Sequence, residues 1–587
     1  MRPAFGIVLF GSLLLAACHG APFHSDIHVG AGANSAADPH QHAEIDEEAP
    51  PPPKAKPEKL RPFPPNAFYD LLVAEFALHR GDYELALGNY LEQARETHDV
   101  AVTERATRIA QFLKSDRAAL EAAKLWVEVE PDDPEAQFTL GSQLAKAQQP
   151  LAAFPHMAKV LDSGARANFA VIAAAAANAS EEDRKLLLAE FDKQLVEHPD
   201  TTELMTGKAL LLQELDRKDE ALVLVRKVLD ASPDDTHAIL IESKLLQELG
   251  RDSEANNRLA NMVNQYPYNR RLRLQYARQL TQSDMNKARE QFAILVQQSP
   301  NDGDLLLSLA LVSREVGALD DAAKYFQQLL AMNQHVPEAH FYLGTISEQR
   351  NDASNAIAHY EQVPPSDEFF PAIARVVELR LAENNLSAAR KFLGETRNRF
   401  PQHALRLYLF EAEVLMQTRH YDEGNQLLTA ALKQFPQQPN LLYSRSTFSE
   451  KRGDLPLLEK DLRALLKKDP DNAVALNALG YTLANQTKRH GEAYELISRA
   501  LALKPDDPAI LDSMGWIEFR RGNLAAARSY LERAYTAFPD PEVAAHLGEV
   551  LWQLDERDLA RSIWQKALES KGDAEVVRRT MRRLGAQ

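Results

Sequence analysis

The sequence predicts an all-α protein built as a stack of helix pairs, and three observations support this prediction. The chain of 587 residues repeats itself about every 34 residues from near Ala67 to near Ser570. Within each repeat, apolar residues recur at helical spacing in two blocks, which predicts two amphipathic helices. Proline recurs at the end of many repeats, where it stops a helix because it lacks a backbone N–H donor. Such a stack offers a long surface for holding other molecules.

An uncharged, largely apolar stretch occupies the amino-terminal region. It runs from Pro3 to Ala17 after Arg2 and is too short to remain as a membrane-spanning helix. It ends in Leu15-Ala16-Ala17-Cys18, which resembles the signal of a bacterial lipoprotein. The resemblance implies that residues 1–17 are a signal peptide and that Cys18, the only cysteine of the chain, receives acyl chains. The alternative is an ordinary secretory signal followed by a chance cysteine.

The residue after Cys18 indicates the membrane that holds the anchor. In the Gram-negative lipoproteins that this signal resembles, aspartate after the cysteine favours retention in the inner membrane, and here the residue is His19. The resemblance therefore implies a lipid anchor in the outer membrane, with the protein on the periplasmic face. Each buried methylene contributes about 0.8 kcal/mol, so several acyl chains are expected to make this attachment effectively permanent.

Residues 18–66 are predicted to be a disordered tether. They are rich in alanine, histidine, acidic residues and proline, and they contain too few apolar residues to form a core. A flexible chain of this length reaches roughly 40 Å. Metal binding by its histidines is the alternative, but their irregular spacing favours a solvated spacer, and no metal site is predicted. These histidines are His19, His24, His28, His40 and His42.

The repeats fill residues 67–570, and their features recur at fixed positions. The predicted first helices start near Ala67, Ala101, Pro134, Asn168, Thr202, Thr236, Arg270, Gly303, Pro337, Phe370, Leu405, Pro439, Ala473, Pro508 and Pro541. A small residue recurs at the eighth position, where a partner helix must approach closely: Gly141, Ala209, Ser243, Ala277, Ala310, Gly344, Ala412, Ser446, Gly480 and Gly515. The terminal prolines are Pro199, Pro233, Pro267, Pro300, Pro436, Pro470 and Pro539.

This combination of period, small residues and terminal prolines resembles the tetratricopeptide repeat, a helix, turn, helix unit of about 34 residues. The resemblance implies a right-handed superhelical solenoid of about 11–15 repeats, with first helices along a concave wall. Two segments depart from the pattern. Residues 165–200 carry an alanine run from Ala173 to Ala177, and the unit near Ala101 has Arg108 at the small position. Both are predicted to be degenerate units.

Residues 571–587 are predicted to form a carboxyl-terminal capping helix. This segment carries a basic cluster that consists of Arg578, Arg579, Arg582 and Arg583. Basic side chains near the end of a helix interact well with its dipole, and a terminal helix with a polar outer face shields the open end of a stack. The alternative is a contact with an anionic partner surface.

Composition and motif searches argue against nucleic-acid binding and against catalysis. The formal net charge is −17, with acidic residues spread through the repeats. The sequence contains no His-Glu-x-x-His, Gly-x-Ser-x-Gly, phosphate-binding glycine loop or Cys-x-x-Cys. Paired carboxylates are interpreted as helix-start residues: Asp132-Asp133, Asp234-Asp235, Asp320-Asp321 and Asp506-Asp507. We therefore predict no enzyme activity, no cofactor and no catalytic residue.

The tetratricopeptide resemblance implies a partner-binding groove on the inner wall of the carboxyl-terminal half. Tyr481 and Trp516 occupy the same position of successive units and are the best candidate anchors, because a large aromatic ring facing a groove is costly in solvent. The alternative is that these rings pack against a neighbouring unit. The inner-wall candidates are Arg406, Leu409, Met416, Tyr443, Glu450, Asn477, Tyr481, Asn485, Asp512, Trp516, Phe519 and Arg520.

The order of anchor, tether and repeat array resembles outer-membrane tetratricopeptide lipoproteins of pseudomonads and their relatives. At this length it is most similar to the adaptors of a periplasmic carboxyl-terminal processing protease. That resemblance implies a scaffold that binds the protease and presents cell-wall hydrolases for proteolysis. Two alternatives remain. One is a scaffold of an exopolysaccharide export or peptidoglycan synthesis complex, and the other, less favoured because the chain has only four tryptophans, is an accessory that binds glycan directly.

Overall fold

The computed structural model describes Pro64, residues 66–569 and residues 574–586. The predicted signal peptide, Cys18 and nearly all of the predicted tether lie outside these described residues. Within them the chain forms 31 α-helices and one short 3-10 helix, and it forms no strand. The predicted all-α fold is therefore confirmed. Among the described residues, no helix combines the length and the apolar character needed to cross a membrane.

The described residues divide into two compact units, one that ends at residue 130 and one that begins at residue 131. In the first unit the described helices are α1 (Ala67–His79), α2 (Tyr83–Thr97), α3 (Val100–Phe112) and α4 (Asp116–Val129). Each helix packs against the next one along the chain. Small residues such as Ala94, Ala106 and Ala122 are fully buried between these helices, around Tyr90 and Leu91. The first unit thus contains two stacked helix pairs.

The second unit contains thirteen further helix pairs and a terminal helix. Its helices are α5 (Pro134–Lys146), α6 (Pro150–Asp162), α7 (Phe169–Ala176), α8 (Glu181–Glu197), α9 (Thr202–Glu214), α10 (Lys218–Ala231), α11 (Thr236–Glu248), α12 (Asp252–Gln265), α13 (Arg270–Ser283), α14 (Met285–Gln298), α15 (Gly303–Glu315), α16 (Leu319–Ala331), α17 (Val336–Gln349), α18 (Ala353–Tyr360), α19 (Phe369–Ala382), α20 (Leu386–Arg399), α21 (Ala404–Gln417), α22 (Tyr421–Gln434), α23 (Pro439–Arg452), α24 (Leu455–Lys468), α25 (Ala473–Gln486), α26 (His490–Leu503), α27 (Pro508–Arg520), α28 (Leu524–Ala537), α29 (Pro541–Gln553), α30 (Arg557–Glu569) and α31 (Glu575–Leu584). The 3-10 helix, Pro401–His403, precedes α21. We number the pairs as repeats in chain order, so that α23 and α24 form repeat 12 and α29 and α30 form repeat 15.

Every first helix begins within one residue of its predicted start. In repeat 2, α3 begins at Val100, and the carboxylate of Asp99 caps it by accepting from the backbone N–H of Val102. This shift places Thr107, which is fully buried, at the close-approach position. Arg108 is exposed instead. The interpretation of Arg108 as an occupant of the small position was therefore wrong by one residue.

The unusual segment 165–200 is still a helix pair, but its helices have unequal lengths. The first, α7, has eight residues and the second, α8, has seventeen. Three phenylalanine rings, from Phe154, Phe169 and Phe191, pack together with centroids 4.9–5.7 Å apart and fill the space beside the small alanines. The alanine run thus remains helical as far as Ala176, and Ala173, Ala175 and Ala176 are buried.

The small residues at the eighth position lie where two helices of a pair meet. A Cβ atom built on Gly344 would lie 2.6 Å from the Tyr360 ring, and one on Gly480 would lie 2.6 Å from Cγ1 of Ile497. On Gly515 the same atom would lie 2.5 Å from Cγ of Leu531. These distances are shorter than van der Waals contact, so the size constraint read from the sequence is confirmed.

The paired carboxylates and the basic cluster have structural partners. Asp133, Asp235 and Asp507 cap α5, α11 and α27 by accepting from backbone N–H groups, and Asp320-Asp321 lies in the first turn of α16. Helix α31 packs on α29, with Val577 and Thr580 buried. Three of its arginines contact carboxylates: Arg578 and Arg582 contact Glu575, and Arg583 contacts Glu549.

Candidate partner-binding groove

First helices of four consecutive repeats surround an open cavity of about 350 Å³ in the second unit. Helices α23, α25, α27 and α29 contribute to it, together with the turn that precedes α29. The lining residues are Tyr443, Val474, Asn477, Ala478, Tyr481, Asp507, Pro508, Ala509, Ile510, Asp512, Ser513, Phe538, Asp540, Glu542 and Val543. We call this cavity the groove. It is large enough for one or two side chains of a partner.

The helix starts place the amino-terminal halves of α25, α27 and α29 next to each other along the groove. Asn472, Asp507 and Asp540 cap these three helices by accepting from backbone N–H groups. The small residue of each pair then allows the second helix to lie close behind the first, as Gly480 and Gly515 do. Consecutive first helices α25 and α27, and α27 and α29, are therefore in contact and form one wall.

The groove presents exposed apolar side chains from three places in the chain. Tyr443 on α23 is 38% exposed, Val474 at the start of α25 is 46% exposed, and Phe538 before α29 is 58% exposed. Burying apolar surface of this kind contributes about 25 cal/mol per Å². The three side chains thus provide the apolar part of a binding surface.

The polar part of the groove consists mainly of hydrogen-bond acceptors. The hydroxyl of Tyr481 donates to Oε1 of Glu542 at 2.6 Å and so connects repeat 13 to repeat 15. Burial raises the pKa of the Tyr481 hydroxyl, and the nearby carboxylates of Glu542, Asp512 and Glu450 add to the effect. The Oδ1 atom of Asn477 is buried and accepts no hydrogen bond from the described residues. Unpaired buried acceptors are uncommon because they lose their water without compensation.

A buried cluster lies directly behind the groove. Nδ1 of His546 lies 2.9 Å and 3.0 Å from the two carboxylate oxygens of Asp512. Its ring stacks on Trp516 with centroids 4.1 Å apart. Burial disfavours the charged ring, but the carboxylates of Asp512, Glu542 and Glu549 outweigh burial and raise the pKa of His546. The cluster links α27 to α29 and supports the wall.

The seven residues predicted for the groove separate into two groups. Tyr443, Asn477, Tyr481 and Asp512 line the cavity. Trp516 does not, because it is only 7% exposed and lies between His546 and the ring of Phe519, whose centroid is 5.1 Å away. Phe519 is half-buried and Arg520 is exposed at the end of α27, and neither lines the cavity. Trp516 therefore packs against a neighbouring repeat, which was the alternative to a groove anchor in the sequence analysis.

Sequence reasoning missed four notable contributors to the groove. Val474, Ala509 and Glu542 occupy the second position of repeats 13, 14 and 15, a position that the repeat pattern turns inward. The signal for these three was present in the repeat pattern. Phe538 lies in the turn before a terminal proline, where the periodic pattern gives no orientation.

The first unit has a separate apolar surface on α1. Four large side chains of this helix are exposed: Phe68, Tyr69, Leu72 and Phe76. Their spacing follows the helical period, so the sequence pattern alone does not distinguish them from residues that a neighbouring helix covers. Among the described residues of both units, no group of three or more His, Cys, Asp or Glu side chains is arranged to hold a metal ion.

The chain is similar to several known proteins. A tetratricopeptide-repeat family model matches residues 307–369, 459–508 and 513–575. The TPR repeat-containing protein PA4667 of Pseudomonas aeruginosa is 44% identical over 532 residues, which cover 90% of each chain. Bacteriophage adsorption protein A of Escherichia coli is 30% identical over 91 residues, which cover 16% of this chain and 9% of that protein.

Two further similarities are weaker. Cellulose synthase 2 operon protein C of Komagataeibacter xylinus is 24% identical over 273 residues, which cover 43% of this chain and 20% of that protein. Among solved structures, the Cut9–Hcn1 hetero-tetramer of the APC/C aligns with 83% of this chain and 97% of its own at 14% identity and a TM-score of 0.28. A thermophilic TPR protein of Thermus thermophilus aligns with 30% of this chain and 98% of its own at 22% identity, also with a TM-score of 0.28.

Proposed function

Because this chain belongs to the tetratricopeptide-repeat family, we propose that it is an outer-membrane-anchored periplasmic scaffold that binds a carboxyl-terminal processing protease. On this proposal it also presents cell-wall hydrolases to that protease for degradation. The similarities support a tetratricopeptide-repeat protein that acts as a scaffold for protein–protein interaction. Our proposal adds the identity of the partners, namely the protease and the hydrolases, and the lipid anchor at Cys18.

One observation carries the scaffold function, namely the groove across repeats 12 to 15. It combines exposed apolar side chains with carboxylates and one buried acceptor without a partner, Oδ1 of Asn477, in a wall that is held by contacts between repeats. Apolar anchors surrounded by polar groups are typical of surfaces that bind a segment of another protein. The similarity to a Pseudomonas aeruginosa repeat protein along 90% of both chains supports an architecture shared with pseudomonad proteins.

The proposed mechanism is an increase of effective concentration. A scaffold that holds a protease and its substrate together makes their encounter intramolecular, at effective concentrations in the millimolar range for short flexible links. The fifteen repeats provide many separate surfaces for this purpose. The proposed role of this chain is therefore to bind and orient partners, and the bond cleavage belongs to the protease.

An affinity purification tests the proposal. We would recover the tagged, lipidated protein from detergent-solubilised envelopes and identify co-purifying proteins by mass spectrometry. The groove variant carries Tyr443→Ala and Phe538→Ala, and the control carries Tyr268→Ala, which removes a ring that is 87% exposed outside the groove. We expect a carboxyl-terminal processing protease with the wild type and the control, and less of it with the groove variant. Recovery of export or synthase subunits without protease contradicts the proposal.

A second candidate function is a scaffold of an exopolysaccharide export or peptidoglycan synthesis complex. The observation that favours it is the similarity of 43% of this chain to cellulose synthase 2 operon protein C. Direct glycan binding has less support, because Trp126, Trp516 and Trp564 are buried. The fourth tryptophan, Trp552, has guanidinium groups of Arg557 and Arg561 over its ring at 5.3 Å and 5.2 Å. Three of the four rings are therefore unavailable for sugar stacking, and the fourth already contacts two arginines.

A further inference from the structure

The side chains around the groove provide negative charge and acceptors, and no lysine or arginine among the described residues lines it. Asp507, Asp512, Asp540 and Glu542 all contribute to the lining. Glu450 lies seven residues after Tyr443, about two helical turns along the same face of α23. Its negative charge contributes to the raised pKa of the Tyr443 and Tyr481 hydroxyls. A partner that enters this groove therefore meets carboxylates of repeats 14 and 15, with the carboxylate of Glu450 from repeat 12 nearby.

Two of these carboxylates, Glu450 and Glu542, neither cap a helix nor form a hydrogen bond with a histidine ring. Asp507 and Asp540 accept from backbone N–H groups at helix starts, and Asp512 contacts the ring of His546. By contrast, Glu542 accepts from the hydroxyl of Tyr481, and neither Glu450 nor Glu542 forms an ion pair with a described residue. Glu542 acts electrostatically on the buried ring of His546, but no cationic group of the described residues forms a hydrogen bond with either carboxylate, so a cation from outside the chain can complement the pair.

The environment of Glu450 is unfavourable for an isolated charge. Burial raises the pKa of its carboxyl group, and the negative charge of Glu542 raises it further, although Lys451 acts in the opposite direction. Desolvated like charges destabilise one another, and an inserted cation relieves both the repulsion and the lost hydration. The buried Oδ1 of Asn477 adds an acceptor that a donor of the ligand can satisfy.

We propose that the groove binds a protein segment that carries a lysine or arginine, whose cationic group lies between Glu450 and Glu542. Apolar neighbours of that residue pack against Tyr443, Val474 and Phe538. This inference rests on the proposed scaffold function and adds the chemistry of the partner. The exposed apolar side chains favour a protein segment over a small polyamine, which has no apolar side chains to cover them. Aromatic rings beside the carboxylates further favour a cation.

A peptide-display selection tests this chemistry with an unbiased probe. A random peptide library is selected on the purified repeat protein after depletion on a variant with Glu450→Gln and Glu542→Gln. We expect the enriched peptides to contain lysine or arginine next to an apolar residue. We also expect the double variant, measured by fluorescence anisotropy, to bind the best peptide at least about tenfold more weakly.

Three controls accompany the selection. The Glu495→Gln variant removes one negative charge from the exposed surface of α26 outside the groove, and we expect its affinity for the peptide to be unchanged. Changing the lysine or arginine of the peptide to glutamine is expected to weaken binding to the wild type about as much as the double variant does. Circular dichroism melting checks that the double variant is folded. We expect it to be folded, because the two substitutions remove two neighbouring charges of the same sign.

The outcomes separate this inference from the proposed function. Enrichment of acidic or neutral peptides, equal binding to the double variant, or no enriched peptide that competes at the groove each overturns the cation inference. If the affinity purification still recovers the protease in that case, the scaffold proposal stands alone. If cationic peptides bind as expected but no protease is recovered, the groove chemistry stands and the protease assignment fails.

Discussion

Replacing Gly480 with alanine tests whether the close approach of α25 and α26 determines the stability of repeat 13. The added Cβ would lie 2.6 Å from Cγ1 of Ile497 and 3.1 Å from the backbone oxygen of Ala493. Ile497 is fully buried, and a helix carbonyl does not rotate away. Relief therefore requires the two helices to separate.

The expected magnitude combines two opposing effects. Overpacking a well-packed contact costs about 1–3 kcal/mol, and the fixed backbone oxygen places this site in the upper part of that range. Alanine also has a better helix propensity than glycine by about 1 kcal/mol, which offsets part of the cost. We therefore expect a net loss of about 1–2 kcal/mol in the free energy of local opening of this repeat.

The same repeat contains a matched control. Gly491 lies near the start of α26, and a Cβ built on it has no neighbouring atom within 4 Å. The Gly491→Ala change should stabilise the helix by up to about 1 kcal/mol, so the two alanine variants should differ in sign. Native-state hydrogen exchange measures the opening free energy of each helix separately, which suits a stack whose repeats couple mainly to their neighbours. Unchanged or increased protection of α25 and α26 in the Gly480→Ala variant would refute the close-contact reasoning.

Three further predictions concern buried groups of the second unit. The pKa of His546 is raised in the folded state, so its pairing stabilises the fold fully below the ordinary pKa of about 6.5 and loses this effect as the pH rises through the raised value. Hydrogen exchange of α27 and α29 should therefore show lower protection at alkaline pH, and the His546→Gln variant should show less of this dependence. Trp516→Ala should reduce the free energy of unfolding by about 3–5 kcal/mol, whereas Tyr443→Ala at a partly exposed site should cost under about 1 kcal/mol, as measured by chemical denaturation. Arg445→Ala should cost about 3–5 kcal/mol by the same measurement, because it leaves the fully buried carboxylate of Asp461 without its two hydrogen bonds of 2.7 Å.

Each of these three predictions has a control or a contradicting result. If the hydrogen-exchange protection of α27 and α29 increases as the pH rises, the stabilising effect expected of protonated His546 is contradicted. If Trp516→Ala reduces the free energy of unfolding only slightly, the ring is part of the groove surface and not of the core. For the buried ion pair, the reference is the exposed pair of Arg95 and Glu121, where removal of the arginine should cost under about 1 kcal/mol. Equal costs at the two pairs would contradict the role assigned to burial.

The sequence pattern determined helix positions well because each repeat carries its own start and stop signals. Aspartate or asparagine caps, small residues at one position and terminal prolines act within a few residues, so they can be located without the tertiary structure. Arg108 was assigned to the small position by counting along the repeat period alone, which ignored a local capping signal. Asp99 caps α3 through the backbone N–H of Val102 and moves the repeat by one residue.

The groove was less predictable because it depends on contacts between repeats. The pattern placed Trp516 on the inner face, but a repeat period does not say which side chain of the next repeat covers that face. His546 from α29 stacks on the indole at 4.1 Å, because Asp512 on α27 holds the imidazole in position. Tyr443, Asn477 and Tyr481 line the cavity, although the hydroxyl of Tyr481 bonds to Glu542 and its ring lies 6.1 Å from that of His546.

The same contacts make partner binding depend on the correct stacking of the repeats. The bond from Tyr481 to Glu542 joins residues that are 61 positions apart, so it exists only when repeats 13, 14 and 15 are stacked correctly. A segment bound across the groove contacts these repeats at the same time and binds only to the stacked state. Such a ligand stabilises that state in proportion to the logarithm of its concentration relative to its dissociation constant. Hydrogen-exchange protection of α25, α27 and α29 should therefore rise together when a groove ligand is present, whereas a ligand of a single repeat should protect that repeat and its immediate neighbours.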